Sequence, residues 1–287
     1  MRFHSQRVNS AKLVVAAVQM KFRGTVRENV DWIVAQIHAA ARDGAAAALF
    51  PECAVTGYNC PFDQLDWRAV EAALQRISSA AKAVRCHVLV GSPTRQGGRW
   101  FNSLVVFDRR GQKSSCYSKI HLTARDAKFF KPGNSIAFFR LGRIACTAII
   151  CHERRFPELV RLPVMMGAQI IFHPNAGLDA LAVSKSKRGG RDGIAVRAFE
   201  NEVFYVFANS VGPQGRGLWS AGDSKIVAPD SRVLAQADNR KEAIILAELN
   251  LAEAGRKYAH EASLQPMFLR APWRAMLARC RRQLRMR

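Results

Sequence analysis

The chain has 287 residues, 49% hydrophobic and 23% charged, the balance of a globular protein that buries a large core and not of a disordered one. Its 44 Lys and Arg against 22 Asp and Glu give a formal charge of +22, a field that draws nucleic acid, anionic surfaces or acidic substrates. No run of about 18 apolar residues exists, which excludes a membrane-spanning helix. Residues 1–12 lack the apolar stretch of a secretory signal. That opening is basic and the first acid is Glu28, so a short mitochondrial transit segment stays open beside the expected cytoplasmic location. Seven cysteines without a C-x-x-C pair speak against a disulfide framework and a thiolate zinc site.

Residues 13–20 form a short β-branched apolar run, as a buried strand does. Thr25 and Glu28 are spaced as a capping box for a helix whose Val30, Ile33, Val34 and Ile37 share a face and which Gly44 stops. Residues 45–50 read as a second buried strand. Asp66 caps a second helix carrying Val70, Ala73, Leu74, Ile77, Ala81 and Val84 at helical spacing, and residues 87–90 make a third strand. Residues 101–107 and 112–118 flank Asp108-Arg-Arg-Gly111 as a hairpin. Two strands, 136–141 and 143–150, part at Gly142, and Pro157 opens a helix where its missing N–H costs nothing. A strand at 169–172, a basic loop from Lys185 to Arg191 and a helix at 194–202 follow. Strands at 203–208, 225–228, 232–235 and 243–249 complete the count, with the glycines of Gly212-Pro-Gln-Gly215-Arg-Gly217 read as a turn. The expected organisation is one α/β domain over residues 1–254 and a basic C-terminal extension over 255–287.

Three stretches place a reactive group just past a buried strand, where open α/β sheets carry their sites. They are Phe50-Pro-Glu52, Tyr117-Ser-Lys119-Ile-His121-Leu122 and Cys151-His-Glu-Arg-Arg155-Phe-Pro-Glu158. A carboxylate, an ammonium and a thiol meeting in one crevice would make a nucleophilic site. Taken singly, each has a plainer reading. Glu52 alone reads equally well as a cap or ion-pair carboxylate, Lys119 as a solvated lysine, and Cys151 has a rival in Cys146 on the same strand. Cys53, Cys86, Cys116 and Cys146 are assigned as small buried hydrophobes. Arg155 and Glu158 are expected to be ion-pair partners of the turn after Cys151, and His121 to orient the lysine strand.

At these residues the sequence resembles the nitrilase, or carbon–nitrogen hydrolase, superfamily, in the ordered motifs F-P-E, Y-x-K-x-H-L and C-x-x-x-R-F-P-E. Arg197-Ala-Phe-Glu-Asn201 and Gly222-Asp-Ser-Lys-Ile226 match two further signatures, so the resemblance spans about residues 13–249. It implies an α-β-β-α sandwich of mixed sheets with outer helices, four-layered on dimerisation, in a homodimer or larger homo-oligomer. It also implies Glu52 as general base, Lys119 as the cation beside the reacting carbonyl and Cys151 as nucleophile, hydrolysing a small linear amide or N-carbamoyl compound through a thioester. No metal or organic cofactor is implied. The backbone N–H of His152 would join Lys119 at the oxyanion, and Tyr58, Phe62, His152, Asn175 and Leu178 are candidate pocket walls. Many members carry a second glutamate six residues before a Pro-Gly. Here that position is Asp126, one methylene shorter, kept as a probable site acid.

After Glu261 the chain holds seven arginines and no acid, interleaved with Trp273, Met276, Leu277 and Leu284. The pattern suggests a basic amphipathic tail that associates with an anionic surface, a nucleic acid or an oligomer partner. A noncatalytic, basic binding protein is therefore the competing reading, and it leaves the three ordered motifs without a purpose.

Overall fold

The computed structural model describes residues 12–186, 193–215 and 217–285. The opening segment weighed as a transit sequence, and residues 187–192 of the basic loop, lie outside them.

The first half alternates as the pattern predicts: β1 (Lys12–Gln19), α1 (Val26–Arg42), β2 (Ala47–Leu49), α2 (Trp67–Val84) and β3 (His87–Gln96), then β4 (Arg99–Phe107) and β5 (Lys113–Ser118). The Thr25 hydroxyl accepts from Glu28 N and the Glu28 carboxylate from Thr25 N, so two of the helix's unpaired donors are satisfied by its own cap. Asp66 caps α2 at Arg68 N. The second half adds β6 (Phe139–Leu141), β7 (Ile144–Ala148), α3 (Glu158–Met165), β8 (Ile170–Asn175), β9 (Asp179–Ala180), α4 (Leu181–Ser186) and α5 (Ile194–Phe199). Then come β10 (Phe204–Asn209), β11 (Val211–Pro213), β12 (Leu218–Ala221), β13 (Lys225–Val227), β14 (Val233–Gln236), β15 (Ala243–Asn250), α6 (Lys257–Leu264) and α7 (Arg270–Arg285).

Two six-stranded mixed sheets result, in the orders β15-β1-β2-β3-β4-β5 and β14-β13-β10-β8-β7-β6. Strand alternation decides what each face buries. Val15, Ala17, Leu49 and Leu104 of the first sheet meet Ala148, Ile170, Phe172 and Val206 of the second, while Ala16, Val18 and Val90 turn outward beneath Ile33, Ile37 and Ile77 of α1 and α2. On the far side Ile171, Tyr205 and Phe207 pack under Leu159, Val160 and Val164 of α3. A fully buried side chain such as Phe172 contributes about 2–3 kcal/mol by leaving water.

The layers run helix, sheet, sheet, helix within a single chain. This is the α-β-β-α order expected, with the four layers already complete in one copy before any dimerisation: each sheet has one apolar face for its partner sheet and one for its helices. The C-terminal residues extend the α3 layer, with Ala259, Leu277 and Cys280 buried in its core. The opposite side of α7 exposes Arg281, Arg282 and Arg285. A small third sheet, β11-β12-β9, is absent from the sequence reading because strands of two to four residues show no period.

Candidate active site

Lys119 directly follows β5, and Glu52 and Cys151 lie three residues past the ends of β2 and β7. Glu52 lies in a tight turn that crosses β3 at Gly91. A Cβ on that glycine would come within 2.2 Å of Pro51 O and 2.7 Å of Glu52 Cα, so only glycine lets the turn sit there. Gly133 serves Lys119 in the same way: its N–H donates to Lys119 O at 2.8 Å, and a Cβ there would meet Ser118 O at 2.1 Å.

The Lys119 side chain is 0% exposed and donates from Nζ to Glu52 Oε1 and to Asp126 Oδ2, both at 2.7 Å. Asn102 of β4 joins the same two carboxylates, donating from Nδ2 to Glu52 Oε1 at 2.7 Å and Asp126 Oδ1 at 3.3 Å. Tyr58 OH donates to Asp126 Oδ1 at 2.8 Å, and Thr123 N and Oγ1 donate to Oδ2 at 3.0 and 2.9 Å. Asp126 thus reaches the lysine without the missing methylene, from the first residue of the short turn Asp126–Lys128. Desolvation would raise the Asp126 carboxyl, but the Lys119 charge and its hydrogen bonds hold it below the usual carboxylate range. Desolvation likewise opposes the Lys119 charge and is overridden, chiefly by Glu52, so the ammonium stays protonated well above its ordinary value. Among the described residues, Glu52 Oε2 has no hydrogen-bond partner although it is buried.

Cys151 occupies a sharp turn with φ +52°, a left-handed conformation that costs a non-glycine residue about 1 kcal/mol or more. Glu153 holds that turn. Its buried carboxylate accepts from Ile150 N at 2.7 Å, Ile120 N at 2.6 Å, His121 N at 3.2 Å and Tyr117 OH at 2.8 Å, which ties the Cys151 turn to the strand end bearing Lys119. The His121 ring stacks on Phe156 with centroids 3.5 Å apart. Arg155 and Glu158 do not take the expected part: both are exposed and neither forms an ion pair among the described residues. Glu153 fills it instead, because a helix starting after Pro157 turns Glu158 outward. Desolvation and then the Glu52 charge push the Cys151 thiol up to about 12, partly offset by Lys119. The rival Cys146 is fully buried between the sheets, where desolvation raises its thiol strongly. Cys53 and Cys86 are buried as expected, and Cys116 only partly.

Above Cys151 opens a cavity of about 390 Å³. Tyr58, His152, Asn175 and Leu178 line it as expected. Phe62 does not; it lies behind Tyr58, packed edge-on at 6.1 Å. Arg125, Arg154 and Arg155 stand at the cavity with Asp179 and Asp223. Arg125 stacks over Tyr58 at 5.3 Å, and Asp223 is paired with Lys225 at 2.8 Å, while Arg154 forms no ion pair among the described residues. Among those residues, no group of three or more His, Cys, Asp or Glu side chains converges as a metal ion requires.

Sequence reading missed Asn102, Glu153 and His173, which bonds to the Cys151 carbonyl. For Asn102 a signal existed: it shares the inward strand phase of Leu104 and Val106, and an amide on a buried face needs partners.

Comparison with known proteins shows the family and the fold. The family model described as carbon-nitrogen hydrolase matches residues 14–258. A nitrilase of Pyrococcus abyssi is 31% identical over 75% of this chain and 80% of its own, and the 2-oxoglutaramate amidase of Bacillus subtilis is 29% identical over 73% and 80%. Among solved structures, an amidase from Nesterenkonia sp. superposes with a TM-score of 0.77 at 24% identity, covering 91% of this chain and 96% of that one.

Proposed function

Because the chain belongs to the carbon–nitrogen hydrolase family, we propose that it is an amidase in which Cys151 attacks a small linear amide. The observation that carries the reading is the paired floor beneath the thiol, where Lys119 and Asn102 occupy Oε1 of Glu52 and leave Oε2 without a partner. A thiol with pKa about 12 is not a standing thiolate at neutral pH, so the proton leaves as attack proceeds, to a base within reach. Glu52 Oε2 is that base. The carbonyl carbon gains the C–S bond, and its oxygen becomes an anion held by Lys119 and the His152 N–H. Glu52 returns the proton to the departing nitrogen, ammonia leaves, and Glu52 then activates the water that splits the thioester.

The far end of the substrate carries a carboxylate in this reading. Arg154 supports it as a cavity guanidinium without an ion pair among the described residues. The relative named 2-oxoglutaramate amidase acts on an amide of that class. An N-carbamoyl amino acid offers the same carboxylate, and the ammonia-release panel below separates the two. The seven free cysteines favour a reducing compartment such as the cytoplasm. Exposed Phe199, Met267 and Phe268 favour a homo-oligomer. The test is ammonia release from ω-amides of dicarboxylic acids, N-carbamoyl amino acids, simple amides and nitriles. Acid amides should be turned over best, and Cys151→Ala should abolish turnover; full activity in that variant would overturn the reading.

A further inference from the structure

β8 carries His173 directly under the Cys151 turn. Its Nε2 lies 3.1 Å from Cys151 O, and its Nδ1 2.9 Å from Tyr205 OH on β10. A carbonyl oxygen can only accept, so Nε2 holds a proton. Desolvation, with the nearby Arg154 charge, keeps the imidazole well below its ordinary value, so the ring holds just that one. Nδ1 is then an acceptor and Tyr205 its donor, which gives the chain a direction: Tyr205 O–H to Nδ1, Nε2–H to Cys151 O. The ring is 0% exposed and lies against Phe207, with centroids 4.9 Å apart.

The Cys151 carbonyl and the His152 N–H belong to one planar trans peptide and point in opposite directions. A bond that holds the oxygen therefore aims the N–H. It also polarises the amide, since a donor on the carbonyl strengthens the hydrogen bond its N–H can give. We propose that His173, held by Tyr205, is a positioning residue that orients and polarises the peptide donating to the reaction's oxyanion. The inference rests on Cys151 as nucleophile and His152 N–H as oxyanion donor. Neither His173 nor Tyr205 touches substrate.

Two probes separate this role from a general structural one. Acylation by p-nitrophenyl acetate passes through an oxyanion; alkylation by iodoacetamide forms a C–S bond at the same sulfur without one. His173→Ala is expected to slow the acylation burst by about tenfold or more while Cys151 alkylation, located by peptide mapping, changes less than about twofold. His173→Gln, whose side-chain amide can donate to Cys151 O, should recover most of the burst rate. Tyr205→Phe should show the same split more weakly, and the imidazole nitrogen shifts of the native protein should report an Nε2–H tautomer. Equal loss of both rates, no loss of either, or an Nδ1–H tautomer would overturn the proposal. If His173→Ala does not fold, the Tyr205→Phe rates and the tautomer decide. If mapping of the native protein finds another cysteine acylated, it is the underlying reading of Cys151 that fails.

Discussion

The floor and the mouth of the cavity use charge in opposite ways. On the floor, Glu52, Asp126 and Lys119 are 0%, 1% and 0% exposed and bond to one another. At the mouth stand three arginines, of which Arg154 forms no ion pair among the described residues. A charge removed from water survives only when its partners are fixed, so the floor has little freedom to vary. A charge at a wet opening needs no internal partner and can await one on a ligand. In the proposed reaction, chemistry would be set below Cys151 and selectivity above it.

The sharpest way to break that contrast is to exchange the floor's cation for one of the mouth's kind. Lys119→Arg should retain less than about a tenth of the native kcat, because a planar fork cannot make both short contacts in a space built for an ammonium. Near-native turnover would show that the floor supplies only bulk charge. Asp126 comes next. Already meeting Lys119 at 2.7 Å with four other donors around it, it leaves little room for the extra methylene of the glutamate that many relatives carry there. Asp126→Glu should therefore lower kcat about tenfold through misplacement and reduce Tm through overpacking; equal or higher activity would mean that the turn yields.

Mouth substitutions should act on binding. Arg154→Gln should raise KM for an acid amide about tenfold, with kcat within twofold and with the uncharged amide unaffected. A fall in kcat for both substrates would move Arg154 to the floor's side of the comparison.

The smallest expected effect concerns pH. The native Asp126 carboxyl is held below its unfolded value, so its stabilisation is present above that unfolded value and is lost as pH falls through the native one. For Lys119, held above its unfolded value, stabilisation is present below that value and is lost as pH rises through the native one. The Tm difference between native protein and Asp126→Asn should therefore shrink on the acid side of about pH 4. A constant difference would show that the carboxylate's charge contributes nothing to stability.

What the sequence made legible follows from range. Thr25 with Glu28, and Asp66, are local devices that act within a few residues, and they sit where the pattern put them. The three strand ends were legible because a buried strand followed by a polar residue is itself a pattern. Glu153 was not, since one carboxylate among Cys151-His-Glu-Arg-Arg155 looks like any surface charge until the end of β5 is laid beside it. Phe62 was read as a wall for a related reason: sequence cannot tell which of two neighbouring aromatics stands in front. Glu158 erred through helix phase, which rotates by about 100° per residue.

The four donors on Glu153 also have a mechanical meaning. Ile120, His121 and Ile150 are pinned to one carboxylate, so the segments bearing the ammonium and the thiol move as one block. Across the cavity, Asp179 of β9 and Leu218 and Ala221 of β12 line the wall without any bond to that carboxylate. The spacing between sulfur and ammonium is thus set by one carboxylate that bonds to neither.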